Sequence, residues 1–260
     1  MPIKLMAASR RRPGLTGAEY FRYIEHYHGA IARQERFKIA SYIQNHVIDG
    51  AFGVLADRTH QQVSDRECVV ELYFNNFPDM LATLEPATPS AASQDGKFFA
   101  DEPTNVIVMA EEEEISVPNP LTTFNPGLGI VKAVGSLKVL QYIMRDDEVY
   151  REDYYRYWRE AHEAALEKSP YAREQMRRCV ANKRYRINDN DGAARKHFGM
   201  VDPPVFDLVV SMWFDTIEHV GAFRQYNEAL QAFPKRFANW SKSFFLYTRP
   251  VPIIRDTPMN

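Results

Sequence analysis

The sequence predicts an α+β fold: two tandem ferredoxin-like β-α-β-β-α-β units closing into a single-chain α+β barrel. Three observations predict it. One order of elements is written twice along the 260 residues. A helical stripe, Phe21, Ile24, His28 and Ile31, returns residue for residue as Tyr155, Trp158, His162 and Ala165. Between the copies, Ser116 to Ser136 carries three prolines and three glycines without a clear period, as a linker does. The units are accordingly placed at 1–116 and 137–260, with 117–136 between them and the second copy diverged.

The first copy opens on β-forming residues Ile3 to Arg10. Thr16-Gly17-Ala18-Glu19 has capping-box spacing, in which a Thr oxygen accepts from one free helical N–H and Glu reaches back to another. The apolar stripe then follows at helical spacing. Ser41–Ile48 and Cys68–Phe74 are predicted strands, Phe77–Leu84 a helix and Val106–Ile115 a strand. In the second copy the predicted strands are Leu137–Met144, Arg178–Arg186, Phe206–Phe214 and Phe244–Ile254. Helices are predicted at Tyr150–Lys168 and Ile217–Leu230. Phe99-Ala100-Asp101 before the fourth strand is echoed by Phe237-Ala238-Asn239 before the eighth.

A four-stranded antiparallel sheet with its helices on one face leaves the other face bare. Two such sheets in one chain cover each other, which predicts a closed barrel with apolar side chains stacked inside. Pockets are then expected where helices and sheet diverge.

Composition narrows the function. A net charge of −2 offers no electrostatic case for nucleic acid. No stretch is long and apolar enough to predict a membrane span, and the first dozen residues are too short in apolar content for a signal-peptide core. Two cysteines, Cys68 and Cys179, make no disulfide framework, so a cytoplasmic setting is expected, with each thiol a small buried hydrophobe. Neither a Gly-rich phosphate loop nor a G-x-S-x-G elbow occurs.

Four motifs in order resemble the EthD family of the dimeric α+β barrel superfamily. They are Arg11-Arg12-Pro13-Gly14-Leu15-Thr16; Phe21-Arg22-Tyr23 through His28-Gly29-Ala30-Ile31; Tyr42-Ile43-Gln44-Asn45-His46-Val47; and Phe98-Phe99-Ala100-Asp101 with Glu111 to Glu114. The second copy matches more loosely, with Cys179 and Lys183 where Tyr42 and His46 would fall. The resemblance implies a small-molecule substrate, no metal or organic cofactor, and isomerase, lyase or oxygenase chemistry. It makes the family's usual dimer internal, and further self-association would need an exposed apolar patch.

His28 lies on the apolar stripe, and the resemblance places it in the pocket as a general acid or base. A core histidine held by one hydrogen bond is the plainer alternative. His46 shares a strand face with Tyr42 and Gln44. If it converges with His28, one ring removes a proton while the other, or Tyr42, delivers one. Phe21, Ile24, Trp158 and His162 are expected to shape the substrate pocket, and Arg11 to hold a substrate carboxylate or else a solvated turn. Asp101 could orient a histidine or cap a turn. His26 and His28 point to opposite sides of a helix and cannot share a metal. His60, His197 and His219 carry no expectation. The expected function is therefore a cofactor-independent lyase or isomerase of aromatic, lactone or polyketide-like compounds, catalysed by His28, His46 and Tyr42. The alternatives are a cofactor-free oxygenase and a non-catalytic carrier of hydrophobic ligands.

Overall fold

The computed structural model describes residues 3–34, 37–48, 66–85, 91–120, 137–185, 191–200 and 204–254. Most of the expected linker, 121–136, lies outside them, as does His60. The strands are β1 (Ile3–Ser9), β2 (Ser41–Val47), β3 (Cys68–Phe74), β4 (Val106–Ile115), β5 (Leu137–Ile143), β6 (Met176–Arg184), β7 (Leu208–Phe214) and β8 (Phe244–Ile254). All pair antiparallel in one closed barrel, in the order β1-β3-β2-β8-β5-β7-β6-β4.

The first half contributes β4-β1-β3-β2 and the second β8-β5-β7-β6, joined at two seams. At one seam Asn45 of β2 faces Pro250 of β8, and at the other Glu113 of β4 faces Ala181 of β6. Closure leaves no unpaired sheet edge, which is the usual hazard of an antiparallel sheet.

The helices of the first half are α1 (Gly17–Arg22), α2 (Gly29–Gln34), α3 (Phe77–Leu84) and α4 (Ala91–Phe99). Those of the second are α5 (Arg151–Lys168), α6 (Pro170–Gln175), α7 (Asp191–His197) and α8 (Val220–Gln231). Among the described residues no helix is long and apolar enough to cross a membrane. Three helices go beyond expectation: α4, α6 and α7. Their short runs, interrupted by Gly, Ser or charge, carry little of the periodicity that announces a helix. The predicted start of α1 is present in full. Thr16 Oγ1 accepts from the Glu19 N–H at 3.2 Å, and Glu19 Oε2 accepts from the Thr16 N–H at 2.7 Å. Thr16→Ala should therefore cost about 1 kcal/mol of unfolding free energy, measurable by urea denaturation.

Strand alternation sorts the side chains. Ile3, Leu5 and Ala7 of β1 face outward against Met80 and Leu84 of α3. Met6 and Ala8 face inward with Val108, Leu140, Tyr142 and Leu246. The interior departs from the purely apolar expectation. Lys4, Glu71 and Lys138, all 0–1% exposed, meet inside the barrel. Lys138 Nζ is 2.5 Å from Glu71 Oε1, and Lys4 Nζ is 3.3 Å from Glu71 Oε2. Lys4 also donates to Glu112 Oε1 and Asn182 Oδ1, each at 2.8 Å. Burial pushes Glu71 up, but the two ammonium groups win and hold it well below the usual carboxylate range. Burial pulls Lys138 down, against the opposing pull of Glu71. The network ties β1 and β3 of one half to β5 and β6 of the other. Nothing in the strands' spacing announced it, because a lone Lys at an inward position reads as an end residue until its partner strand is known.

Candidate active site

The helical layer stands away from the outer face of the first half's sheet, leaving a cavity that is open at its mouth. Its floor is β1, β2 and β3 through Ala7, Tyr42 and Leu72, and its walls include Ile24, His28 and Phe99. One further wall comes from the second half, through His197 at the end of α7 and Phe198 after it.

His28 ends a π-helical turn, Tyr23–His28, between α1 and α2. Such turns insert an extra residue into the helical ladder and are frequent at functional sites. The Gly29 N–H bonds the Ile24 carbonyl, which also accepts from Gln44 Nε2 at 2.7 Å. Gly29 is tightly enclosed, since a Cβ there would stand 3.3 Å from both Ile24 O and the Ile253 side chain.

Asp95 of α4 completes the arrangement. Its Oδ2 lies 3.0 Å from His28 Nδ1, and its Oδ1 accepts from the Tyr23 hydroxyl at 2.7 Å. Burial pushes the Asp95 carboxyl up, but the hydrogen bonds from His28 and Tyr23 bring it below its usual value. Burial, followed by the bond to Asp95 and its charge, pushes Tyr23 up to about 12, so it stays a donor. A carboxylate kept ionised on Nδ1 holds the proton there and leaves Nε2, which has no hydrogen bond among the described residues, as the atom facing chemistry. Asp101, the carboxylate singled out from sequence, instead donates its backbone N–H to the Arg10 carbonyl at 2.9 Å. Asp95 was missed because α4 gave no helical signal to bring it near His28.

The other expected residues are distributed as follows. Tyr42 lines the cavity, its hydroxyl accepting from Gln44 Nε2 at 2.9 Å. Burial, the largest influence, keeps its proton on. His46 lies on the same strand face but is not among the cavity-lining residues. Its ring stacks on Phe21 at 4.7 Å, and Nε2 meets Gln44 Oε1 at 3.0 Å. The expected convergence of His28 and His46 is therefore not made, because Phe21 and Gln44 enclose the second ring. Ile24 lines the cavity, whereas Phe21 lies against His46.

Arg11 binds Glu67 at 2.9 Å through Nε, and the Leu15 carbonyl through a terminal nitrogen. Arg145 makes the equivalent pair, to Asp207 at 3.0 Å and to the Val149 carbonyl. Repetition in both halves marks a latch holding the turn after the first strand of each copy.

Among its described residues the second half has no counterpart to the His28–Asp95 pair. Four residues before Phe99 stands Asp95, and four before Phe237 stands Phe233. His162 instead meets the Tyr226 hydroxyl at 2.8 Å, inside a packed cluster with the fully buried Trp158. Trp158 occupies the stripe position of Ile24 and fills space that the smaller residue leaves open. Lys183 pairs with Glu113. Among the described residues no group of three or more His, Cys, Asp or Glu could hold a metal ion.

Two of these rings report on pH. Burial, aided by the charge of Arg249, pushes His46 down to about 4, and burial with Arg159 does the same to His162. Unfolded, both take up protons near 6.5, so the unfolded chain binds more protons between about 6.5 and about 4. Stability should be intact above that window and fall as pH drops through it, by up to about 3 kcal/mol per ring. Urea denaturation at stepped pH checks this, and His46→Gln should flatten part of the fall.

The EthD domain profile matches residues 12–103 and again 146–241. No curated protein matches the sequence. Among solved structures, a protein provisionally named a monooxygenase, from Fusobacterium nucleatum subsp. nucleatum, is 6% identical with a TM-score of 0.54, covering 99% of this chain and 94% of that one. A protein provisionally named a chlorite dismutase is 12% identical with a TM-score of 0.55, covering 97% and 96%. A chlorite dismutase variant from Candidatus Nitrospira defluvii is 11% identical with a TM-score of 0.51, covering 95% and 91%. At these identities the likeness is one of fold.

Proposed function

Since the chain belongs to the EthD family, matched in two tandem segments, we propose that it is a cofactor-independent lyase or isomerase built from two ferredoxin-like units. Its substrate is a small, largely apolar metabolite of aromatic, lactone or polyketide type, bound in the first half's cavity. The single observation that carries the reading is the His28–Asp95 pair, with Nδ1 at 3.0 Å from the carboxylate at the wall of that cavity. A histidine held so can remove a proton from carbon or oxygen at Nε2 and return it elsewhere on the same molecule. That relocation is common to isomerisation, dehydration and decarboxylation. Tyr42, protonated on the cavity floor, is placed in this reading to donate to the oxygen on which charge develops. His46 is kept out of the reaction.

The test needs no natural substrate. Wild-type protein should speed the exchange of solvent deuterium into the carbon acid 2-tetralone, followed by NMR. Exchange at the buffer rate, with probe bound unchanged, would support a carrier and sink the acid–base reading. Oxygen uptake accompanying exchange would move the assignment to a cofactor-free oxygenase, the second reading, which the name of one fold neighbour favours.

A further inference from the structure

We propose that the cavity recognises its ligand at one end through two hydrogen-bond acceptors, Glu102 and Asn105 Oδ1, and that the ligand presents a hydroxyl group, phenolic or enolic, to them. This rests on the reading of the cavity as the substrate site.

Glu102 opens the 3-10 turn Glu102–Thr104 that leads from α4 into β4, Asn105 follows it, and both line the cavity. Asn105 is 3% exposed. Its Nδ2 donates to the Phe198 carbonyl at 3.1 Å, which fixes the amide's orientation, since a carbonyl can only accept. Its Oδ1 is buried and has no hydrogen-bond partner among the described residues. Leaving such an acceptor unmade is costly, so the position calls for a donor from outside the protein.

Glu102 occupies a notch cut by two glycines. A Cβ at Gly199, whose φ is +62°, would come within 2.8 Å of Glu102 Cβ and 3.0 Å of Oε2. A Cβ at Gly96, also on the cavity wall, would run into Oε1. Its carboxylate makes no hydrogen bond among the described residues, and burial pushes it up against the charge of Lys97.

Apart from His28 and Tyr42, to which the reaction is assigned, the other polar side chains on the wall are engaged. Ser9 meets the Tyr20 hydroxyl, Thr83 donates to the Asp79 carbonyl, and His197 Nδ1 meets the Leu84 carbonyl. What the pole offers is acceptors alone. A ligand carboxylate would face a carboxylate and an amide oxygen without a donor, which rejects it. An ammonium would surrender its hydration to a wall that is otherwise mostly apolar, whereas a neutral hydroxyl gives up far less.

The experiment is calorimetric binding of 2-naphthol, 2-methylnaphthalene, 2-naphthoate and 2-naphthylmethylamine. Naphthol should bind about tenfold or more tightly than the methyl and carboxylate probes, the size of a hydrogen bond to a charged group. Glu102→Gln should erase most of that preference and admit naphthoate, because the amide supplies a donor. Its side chain loses no protein hydrogen bond, so the variant should fold. Asn105→Leu should lower naphthol affinity further in the same direction. Equal binding of naphthol and methylnaphthalene, a preference untouched by both variants, or no binding of naphthol at millimolar concentration would overturn the proposal. Tighter binding of the amine, lost in Glu102→Gln, would replace the hydroxyl head with an ammonium. The preference is read without turnover, so it fails or stands separately from deuterium exchange at His28.

Discussion

His28→Ala should lower proton exchange into 2-tetralone by about 10²–10⁴-fold, the usual contribution of a general acid–base group. Fold stability should change little by comparison, because His28 keeps a side chain 17% exposed and makes one described hydrogen bond, to Asp95. Asp95→Asn should lower exchange less. An amide can orient the ring, but it offers Nδ1 either a donor or an acceptor, so both ring tautomers become accessible. The ¹⁵N spectrum of the His28 ring separates this positioning role from a merely structural one. Wild type should show the proton on Nδ1, and Asp95→Asn a mixture. Full exchange activity in His28→Ala, with the variant folded, would remove the mechanism.

The second large effect concerns stability. Glu71→Gln should cost about 3–5 kcal/mol, because it leaves Lys4 and Lys138 buried with no carboxylate between them. Urea denaturation measures it, with Lys138→Met as control. In that variant Glu71 keeps Lys4, and the new side chain lies against the Trp213 ring that now faces the ammonium at 4.7 Å. It should therefore be the milder change. A Glu71→Gln variant within 1 kcal/mol of wild type, on the scale of an exposed pair, would mean that the barrel interior admits water.

The two substitutions probe different levels of the structure. The His28 pair is local to one half and its helices, whereas Glu71 joins strands from both halves. Loss of His28 should thus leave a folded, inactive barrel, and loss of Glu71 should loosen the closure that holds α7 of the second half over the first half's cavity.

Everything that repeats at short range was legible in the chain alone. Alternation located the strands, the Thr16–Glu19 spacing located a helix start, and the recurring stripe of Phe21, Ile24 and His28 showed that the chain is a duplicated unit. The stripe also picked out His28, since a titratable ring among apolar positions is conspicuous in one dimension. The tertiary structure alone decided who meets whom. Asp95 stands 67 residues from His28, Glu71 is 67 residues from Lys138, and His197 reaches the cavity from the other copy. Each of these contacts depends on the register of the closed sheet and on how helices lean across it, and neither leaves a period in the chain. His46 shows the converse. Strand alternation put it on the face of Tyr42, yet the Phe21 ring and the Gln44 amide occupy the space around it. Periodicity specifies a face, but only packing specifies which part of that face stays open.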